Sequence, residues 1–600
     1  MTLPPLQSFD VTARPDQGPP RLQALRREIA QEGLSGFLVP RADAHQGEYV
    51  AARDNRLAWL TGFTGSAGFC AVLADVAGVF IDGRYRTQVK SQVADVYTPV
   101  PWPEVQLVDW LIEQLPNGGK IGFDPWLHTS GQIRGLYRDL EGTGIEITQI
   151  DNLVDRIWAD QPAAPMHPVA AHPLDYAGET ADSKIERLAR SLQEAGQTAA
   201  IITLPDSIMW LLNLRGADIA RNPVAHGFAI LHASGSVDLF MEPDKLTGVV
   251  SHLGPQVRCR PPQEFVAAVQ ALSGAVRIDG ASVPYRVAEL LAEHAVAGGD
   301  PCALPKACKN PAEIDGSAAA HLRDGAAVVE LLAWLDAQPP NSVREIQVVQ
   351  KLEALRQRDP RLRDISFDTI AGTGPNGAIM HYRVTTETDA RLAEGDLLVL
   401  DSGGQYLDGT TDITRTIAIG TPRDEERAAF TRVLQGMIAM SRLRWPKGLT
   451  GRDIECVGRM PLWLAGQDFN HGLGHGVGAY LSVHEGPQRL SRVSDVPLEP
   501  GMILSNEPGY YREGGFGIRI ENLLVVQEAP ALDGADPERS MLSWRTLTYV
   551  PIDRRLIVRD MMNADELRWL NAYHAEVAKK IAPTLGNDAK LWLDAATAPF

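Results

Sequence analysis

Apolar and polar positions change period several times along the chain, and each change marks an element. Residues 22–32 have helical spacing, and the apolar run Gly36–Pro40 then reads as a short strand. Further strand runs at Phe69–Leu73 and 78–81 close on Asp82-Gly83-Arg84. Strands alternating with helices predict an α/β unit. The stretch 159–182 holds Pro162, Pro165, Pro168 and Pro173 among small and polar residues and reads as a linker. After it the first pattern returns. Ser183 is placed to cap a helix through Ile185, Leu188 and Leu192. Residues 199–205 mirror Gly36–Pro40, and 208–216 mirror 57–65 with Trp210 matching Trp59. Residues 227–231 then mirror 68–73, and 237–241 mirror 79–81. Segments 21–160 and 174–300 therefore read as two copies of one α/β unit. Residues 1–20, polar and Pro-rich, read as a loose arm.

A second break lies at Gly298-Gly299-Asp300-Pro301. Asn310-Pro311-Ala312-Glu313 then opens a helix, with Asn as cap, Pro in the first position and Glu reaching back. Further helices are expected over 343–358, 422–443 (Thr421 capping), 451–464 (Thr450 capping) and 564–581, followed by a polar tail. Strands are expected at 396–401, 411–419, 501–507 and 517–526. This last region reads as α+β with antiparallel strands. The chain as a whole reads as an α/β and α+β multidomain protein, with domains at 1–160, 161–306 and 307–600.

Six hundred residues are too many for one core. A net charge of −18 argues against a nucleic-acid partner, which would meet a basic patch. Five scattered cysteines with no CxxC pair argue for a reducing compartment. The first twenty residues lack the basic start and apolar core of a secretion signal, and no apolar run is long enough to span a membrane. A cytoplasmic protein is the expectation.

The chemistry gathers in the last region. The apolar run 397–400 ends on Asp401, Gly403-Gly404 and Asp408-Gly409 turn the chain, and a second strand begins near Asp412. A hairpin would bring Asp401 and Asp412 together, where they repel unless a positive charge intervenes. Asp408 reads as a turn residue. Alternation puts Asp412, Thr414 and Thr416 on one face. His381, His471, His475 and His484 fall in loops and strands of the same region. His471 and His475 have the i, i+4 spacing of a zinc helix, but the glycines of HGLGHGVG make a helix improbable there. Those glycines fit a backbone that approaches a ligand or another strand. Glu507 ends an apolar strand before Pro508-Gly509, and Arg519 and Glu521 share one face of another. A glutamate in an apolar strand needs a cation, and Arg519 could serve. Two Asp, two Glu and at least one His suit a pair of divalent ions such as manganese, cobalt, iron or zinc. Such a pair activates a shared water for hydrolysis.

The order Asp401, Asp412, His475, Glu507, Glu521 resembles the five metal ligands of the pita-bread metallopeptidases. The flanks DGTTDITRT, HGLGHGVG, VHEGP, NEPGYY and GIRIEN are most similar to the Xaa-Pro aminopeptidases of the P type. That type carries two creatinase-like α/β domains ahead of a pita-bread catalytic domain, in agreement with the repeat. One departure is Arg383-Val384 after His381-Tyr382, where relatives usually have Ala-Pro. The resemblance implies that Asp401 chelates one metal, Asp412 and Glu521 bridge two, and His475 and Glu507 hold the other. It implies Glu507 as general base, His381 and His484 on the scissile carbonyl, and His471 lining the proline site. Arg519 would orient a ligand or meet the peptide. The implied cofactor is two divalent ions, Mn2+ first, with Co2+ or Zn2+ as alternatives. The implied reaction removes an N-terminal residue from peptides with proline second, by a homodimer with no membrane or nucleic-acid partner. A prolidase acting on Xaa-Pro dipeptides shares all five ligands. A non-catalytic peptide-binding homologue usually lacks several of them.

Overall fold

The computed structural model describes residues 5–339 and 341–600. Its contacts divide the chain into two units, Thr12–Lys306 and a second built from Ala307–Phe600 together with the arm up to Val11.

The Thr12–Lys306 unit contains two six-stranded mixed sheets. In the first the order is Thr98–Pro101, Ala77–Ile81, Phe69–Leu73, Gly36–Pro40, Gly119–Phe123, Ile145–Gln149. In the second it is Val257–Arg260, Val237–Phe240, Phe228–His232, Ala199–Ile202, Val276–Ile278, Ala295–Ala297. Matched position by position, the pairings agree: two antiparallel ladders flank the inner strands and three parallel ladders complete each sheet. The repeat read from the sequence is thus a repeat of topology. The inner strand Ala199–Ile202 is buried at every position, as expected where helices cover both faces of a sheet. The helix Ala181–Glu194 begins earlier than expected. Thr180 caps it by accepting the Ser183 N–H, so Ser183 is the third helical residue rather than the cap.

In the other unit, the helix Pro311–Asp336 opens on the expected capping box, with Asn310 and Glu313 each accepting the other's backbone N–H. Thr450 and Asp453 form another. The helix expected from 422 starts later, at Asp424, because Glu426 Oε2 accepts the Arg423 N–H at 2.8 Å and fixes the turn there instead of at Thr421. Strand ladders in this unit are all antiparallel among the described residues. A three-stranded sheet orders Ile370–Thr373, Leu397–Ser402 and Ile413–Ala418. A six-stranded sheet orders Arg444–Pro446, Met541–Thr546, Asn522–Glu528, Ile503–Asn506, Gly474–Gly476 and Glu485–Leu490. The helix Asp424–Ser441 buries Phe430, Val433, Leu434 and Met437 in the core beside them.

Two further segments differ from expectation. The polar tail is helical over Asn587–Ala596, fixed by Leu593, which is fully buried. Of the arm expected to be loose, residues 1–4 lie outside the described residues and residues 6–10 are tied down. Glu353 accepts the Leu6 and Gln7 N–H groups, buried Gln7 accepts from Thr369 N at 2.7 Å, and Arg383 donates to the carbonyls of Ser8 and Asp10. Arg383, unusual in its motif, is therefore a clasp on the arm, braced by Asp368 at 3.0 Å.

Candidate metal centre

Asp401 lies near the end of Leu397–Ser402, in register with Ile370 on one side and Thr414 on the other. Beyond it the chain doubles back tightly. A Cβ on Gly403 would sit 1.8 Å from Thr411 O, so only glycine permits the approach. The short pair Gly404–Tyr406 and Gly409–Thr410 closes the tip, and Asp412 returns just before Ile413–Ala418. Asp408 is more than a turn residue. It is buried and paired with Arg323.

The strand Ile413–Ala418 then builds the far wall. Thr414 Oγ1 donates to Glu521 Oε2 at 2.8 Å, and Thr416 Oγ1 donates to Arg519 O at 2.9 Å. Glu521 sits in the break between Phe516–Arg519 and Asn522–Glu528, with its N–H on Thr414 O at 3.1 Å. His475 is the middle residue of Gly474–Gly476. A Cβ on Gly474 would meet Ser505 O at 1.9 Å, so glycine lets this strand lie against Ile503–Asn506 and sets His475 beside Glu507.

The side chains converge. His475 Nε2 is 3.5 Å from Asp412 Oδ2 and 3.4 Å from Glu507 Oε1. One ligand atom each from Asp412, His475 and Glu521 lie within 4.8 Å of one another. The Gly476 carbonyl, 2.9 Å from His475 Nδ1, can only accept, so Nδ1 carries the proton and Nε2 presents a lone pair to the cluster. Ser505 Oγ accepts the His475 N–H and donates to Glu507 Oε1 at 3.0 Å. Arg519 Nη2 donates to Asp401 Oδ2 at 2.6 Å, so its ion-pair partner is Asp401 and not Glu521. Arg519 Nη1 reaches Tyr511 OH at 2.6 Å, and that hydroxyl lies 3.0 Å from His471 Nε2. The His484 ring packs edge-on against His475 with centroids 4.3 Å apart. His381 follows the turn Gly374–Ala378, and the preceding carbonyl, Met380 O, is 3.3 Å from Arg519 Nη2.

Four carboxylates here face one guanidinium. Asp412 and Glu521 are almost wholly buried. Burial pushes the Asp412 carboxyl well above the usual range, and the charges of Asp401 and Glu507 push it further. Glu521 is raised in the same way, by burial and then by Asp412, Glu507 and Asp401. Among the described residues, Asp401 Oδ1 and Glu521 Oε1 have no hydrogen-bond donor. Buried carboxylate oxygens in that state are neutralised either by a proton or by a bound cation. The set of oxygens plus one imidazole fits divalent ions of the manganese, cobalt or zinc kind. Tyr511, Ser505 and Thr414 carry much of this geometry and were not singled out as site residues from sequence. Strand alternation holds the signal for two of them, since Ser505 shares the face of Glu507 and Thr414 that of Asp412.

Residues 316–528 match the model of metallopeptidase family M24, and 540–600 match its C-terminal region. Residues 21–157 and 160–313 each match a creatinase/prolidase N-terminal domain. The chain is 37% identical over 97% of its length to a probable Xaa-Pro aminopeptidase P of Aspergillus niger, covering 98% of that protein. It is also 37% identical, over 99% of its length, to one of Coccidioides posadasii, covering 95% of it. The chain belongs to the aminopeptidase P branch of family M24. Among solved structures of this family, an X-prolyl aminopeptidase of Caenorhabditis elegans, described as a cytosolic enzyme with a dinuclear active site, superposes with a TM-score of 0.92. The two are 32% identical, and the match covers 97% of this chain and 99% of that one. The fold is that of the family: creatinase-like α/β domains followed by a pita-bread domain.

Proposed function

We propose that the chain is a metal-dependent aminopeptidase that hydrolyses the bond between an N-terminal residue and a penultimate proline. The observation that carries this reading is the buried, under-neutralised cluster of Asp401, Asp412, His475, Glu507 and Glu521, in a chain that matches aminopeptidase P relatives end to end. Asp401 would hold one divalent ion, Asp412 and Glu521 would be shared, and His475 and Glu507 would hold the second. Manganese is the first candidate, with cobalt or zinc as alternatives. Bound there, such ions lower the pKa of a water and polarise a carbonyl.

The side chains do the rest. Glu507, held by Ser505, takes the proton of the attacking water and passes it to the leaving proline nitrogen. His381 and His484 steady the carbonyl oxygen as charge develops on it. His471, anchored by Tyr511, lines the proline site. Arg519 holds Asp401 and so acts on substrate through the centre it orders. A homodimer in the cytoplasm is the companion reading; all five cysteines are free thiols, and no described helix is long and apolar enough to cross a membrane.

The test is hydrolysis of an Xaa-Pro-Xaa tripeptide. Turnover is expected to disappear with chelator and return with manganese. No activity on any such peptide would overturn the reading, and turnover confined to Xaa-Pro dipeptides would make the chain a prolidase.

A further inference from the structure

A second convergence of metal-ligating groups lies outside the M24 unit, where the two α/β copies meet. Asp43 follows the inner strand Gly36–Pro40 of the first copy, Asp54 ends the turn Ala52–Asp54, and His226 precedes the strand Phe228–His232 of the second. One ligand atom from each lies within 4.8 Å of the other two, the same closeness found for Asp412, His475 and Glu521.

The cluster is buried and built. The Asp43 side chain is 2% exposed and His226 14%, with Asp43 Oδ2 3.3 Å from His226 Nε2. Among the described residues neither atom meets a partner at full hydrogen-bond geometry, and the two form an ion-pair contact. A separation near 3 Å is what two ligands at about 2.1 Å from one ion would show. The opposite edges are fixed. Asp43 Oδ1 accepts the His45 N–H at 2.8 Å, which turns Oδ2 inward. The His226 N–H donates to Asp218 Oδ2 at 2.8 Å, and the His226 ring stacks on His45 with centroids 4.5 Å apart. The other nearby cations are largely committed elsewhere. Arg56 gives Asp54 one bond at 2.9 Å but is also committed to Asp155 at 2.7 and 2.9 Å. Lys245 is taken up by Asp218.

We propose that Asp43, Asp54 and His226 form a third divalent-cation site, structural in role, that pins the two α/β copies to each other. Two carboxylates and an imidazole, already oriented by their outer partners, suit zinc or manganese. The site does not depend on the peptidase reading, because none of its residues belongs to the M24 centre.

Metal counting tests it. The full-length double variant Asp412→Ala, Glu521→Ala is loaded with manganese or zinc chloride, desalted and analysed by mass spectrometry for bound metal. One ion per chain is expected to remain, and adding His226→Gln is expected to remove it. In the otherwise unchanged protein, Asp43→Asn with His226→Gln should lower the metal count by one and shrink the rise in Tm on metal addition. Tripeptide turnover should be unchanged. This arm reads the site even if the double variant fails to fold. A bare Asp43–His226 ion pair would show no ion beyond the M24 centre and a count indifferent to His226→Gln, and that result overturns the proposal.

Discussion

Two buried carboxylate groups flank the Asp401–Asp412 hairpin, and the protein treats them in opposite ways. Asp324, on the helix Pro311–Asp336, is fully buried and answered on every side. Arg356 holds it through both oxygens, at 2.5 and 3.1 Å, and Tyr406 and Thr411 of the hairpin add their hydroxyls. Arg356 also donates to Ser402 Oγ at 3.0 Å, so the hairpin is tied to a closed, neutral pair. On its other side the same hairpin presents Asp401 and Asp412 to a cluster whose charges are left open. The closed group ties the hairpin at Ser402, Tyr406 and Thr411, between and beside the carboxylates of the open one. Burial alone does not mark a site. The informative feature is burial without a counter-charge.

Asp412→Ala should cut turnover most, by on the order of 10³-fold or more, because it removes the carboxylate proposed to be shared between the two ions. Far-UV circular dichroism should show the fold intact. A variant that kept full rate would put Asp412 outside the reaction and dissolve the contrast. Asp324→Asn should act on stability instead. It leaves the Arg356 guanidinium buried without its partner, at a cost on the order of 3 kcal/mol, read from urea unfolding. If the two substitutions proved equally destabilising in metal-free protein, both groups would be structural pairs.

The smallest effect is the most diagnostic. In metal-free protein, Asp412 and Glu521 bind protons more tightly than they do in the unfolded chain. Below the unfolded carboxyl range both states are protonated and nothing changes. As pH rises past that range the unfolded chain ionises first, so folded stability falls. The Tm of metal-free protein should therefore decline from mildly acid to neutral pH, and manganese should cancel the decline. Asp412→Asn should flatten the slope. A metal-free Tm that climbs over the same interval would contradict the mutual repulsion.

Much of this was legible beforehand for physical reasons that are local. The Asn310–Glu313 box is written in four consecutive residues, and the helix starts where they say. The repeat of elements in the two copies followed from short apolar runs in sequence. The hairpin and the glycines around His475 announced close backbone approach. What escaped depends on partners far away. Nothing near Tyr511 shows that its hydroxyl will join Arg519 to His471. Thr421 looks like a cap until Glu426 competes for the turn. The tail 587–596 reads as polar although Ala589, Leu591, Trp592, Leu593, Ala595 and Ala596 are apolar, and only Leu593 among them is fully buried. Asp43 and His226 lie 183 positions apart in the numbering, and only the packing of the two copies joins them.

The clasped arm sets an order of events during synthesis. Leu6 reaches Glu353 across 347 positions, and Ser8 reaches Arg383 across 375. The arm leaves the ribosome ahead of those residues and has no seat until they emerge. In topological terms the stretch Thr12–Lys306 is an insertion within the M24 unit, looped out between its first segment and the rest. The α/β copies can fold as they are made, whereas the catalytic unit must close a loop of some three hundred residues to complete itself. A protein cut between the units would therefore yield a catalytic fragment without its first segment.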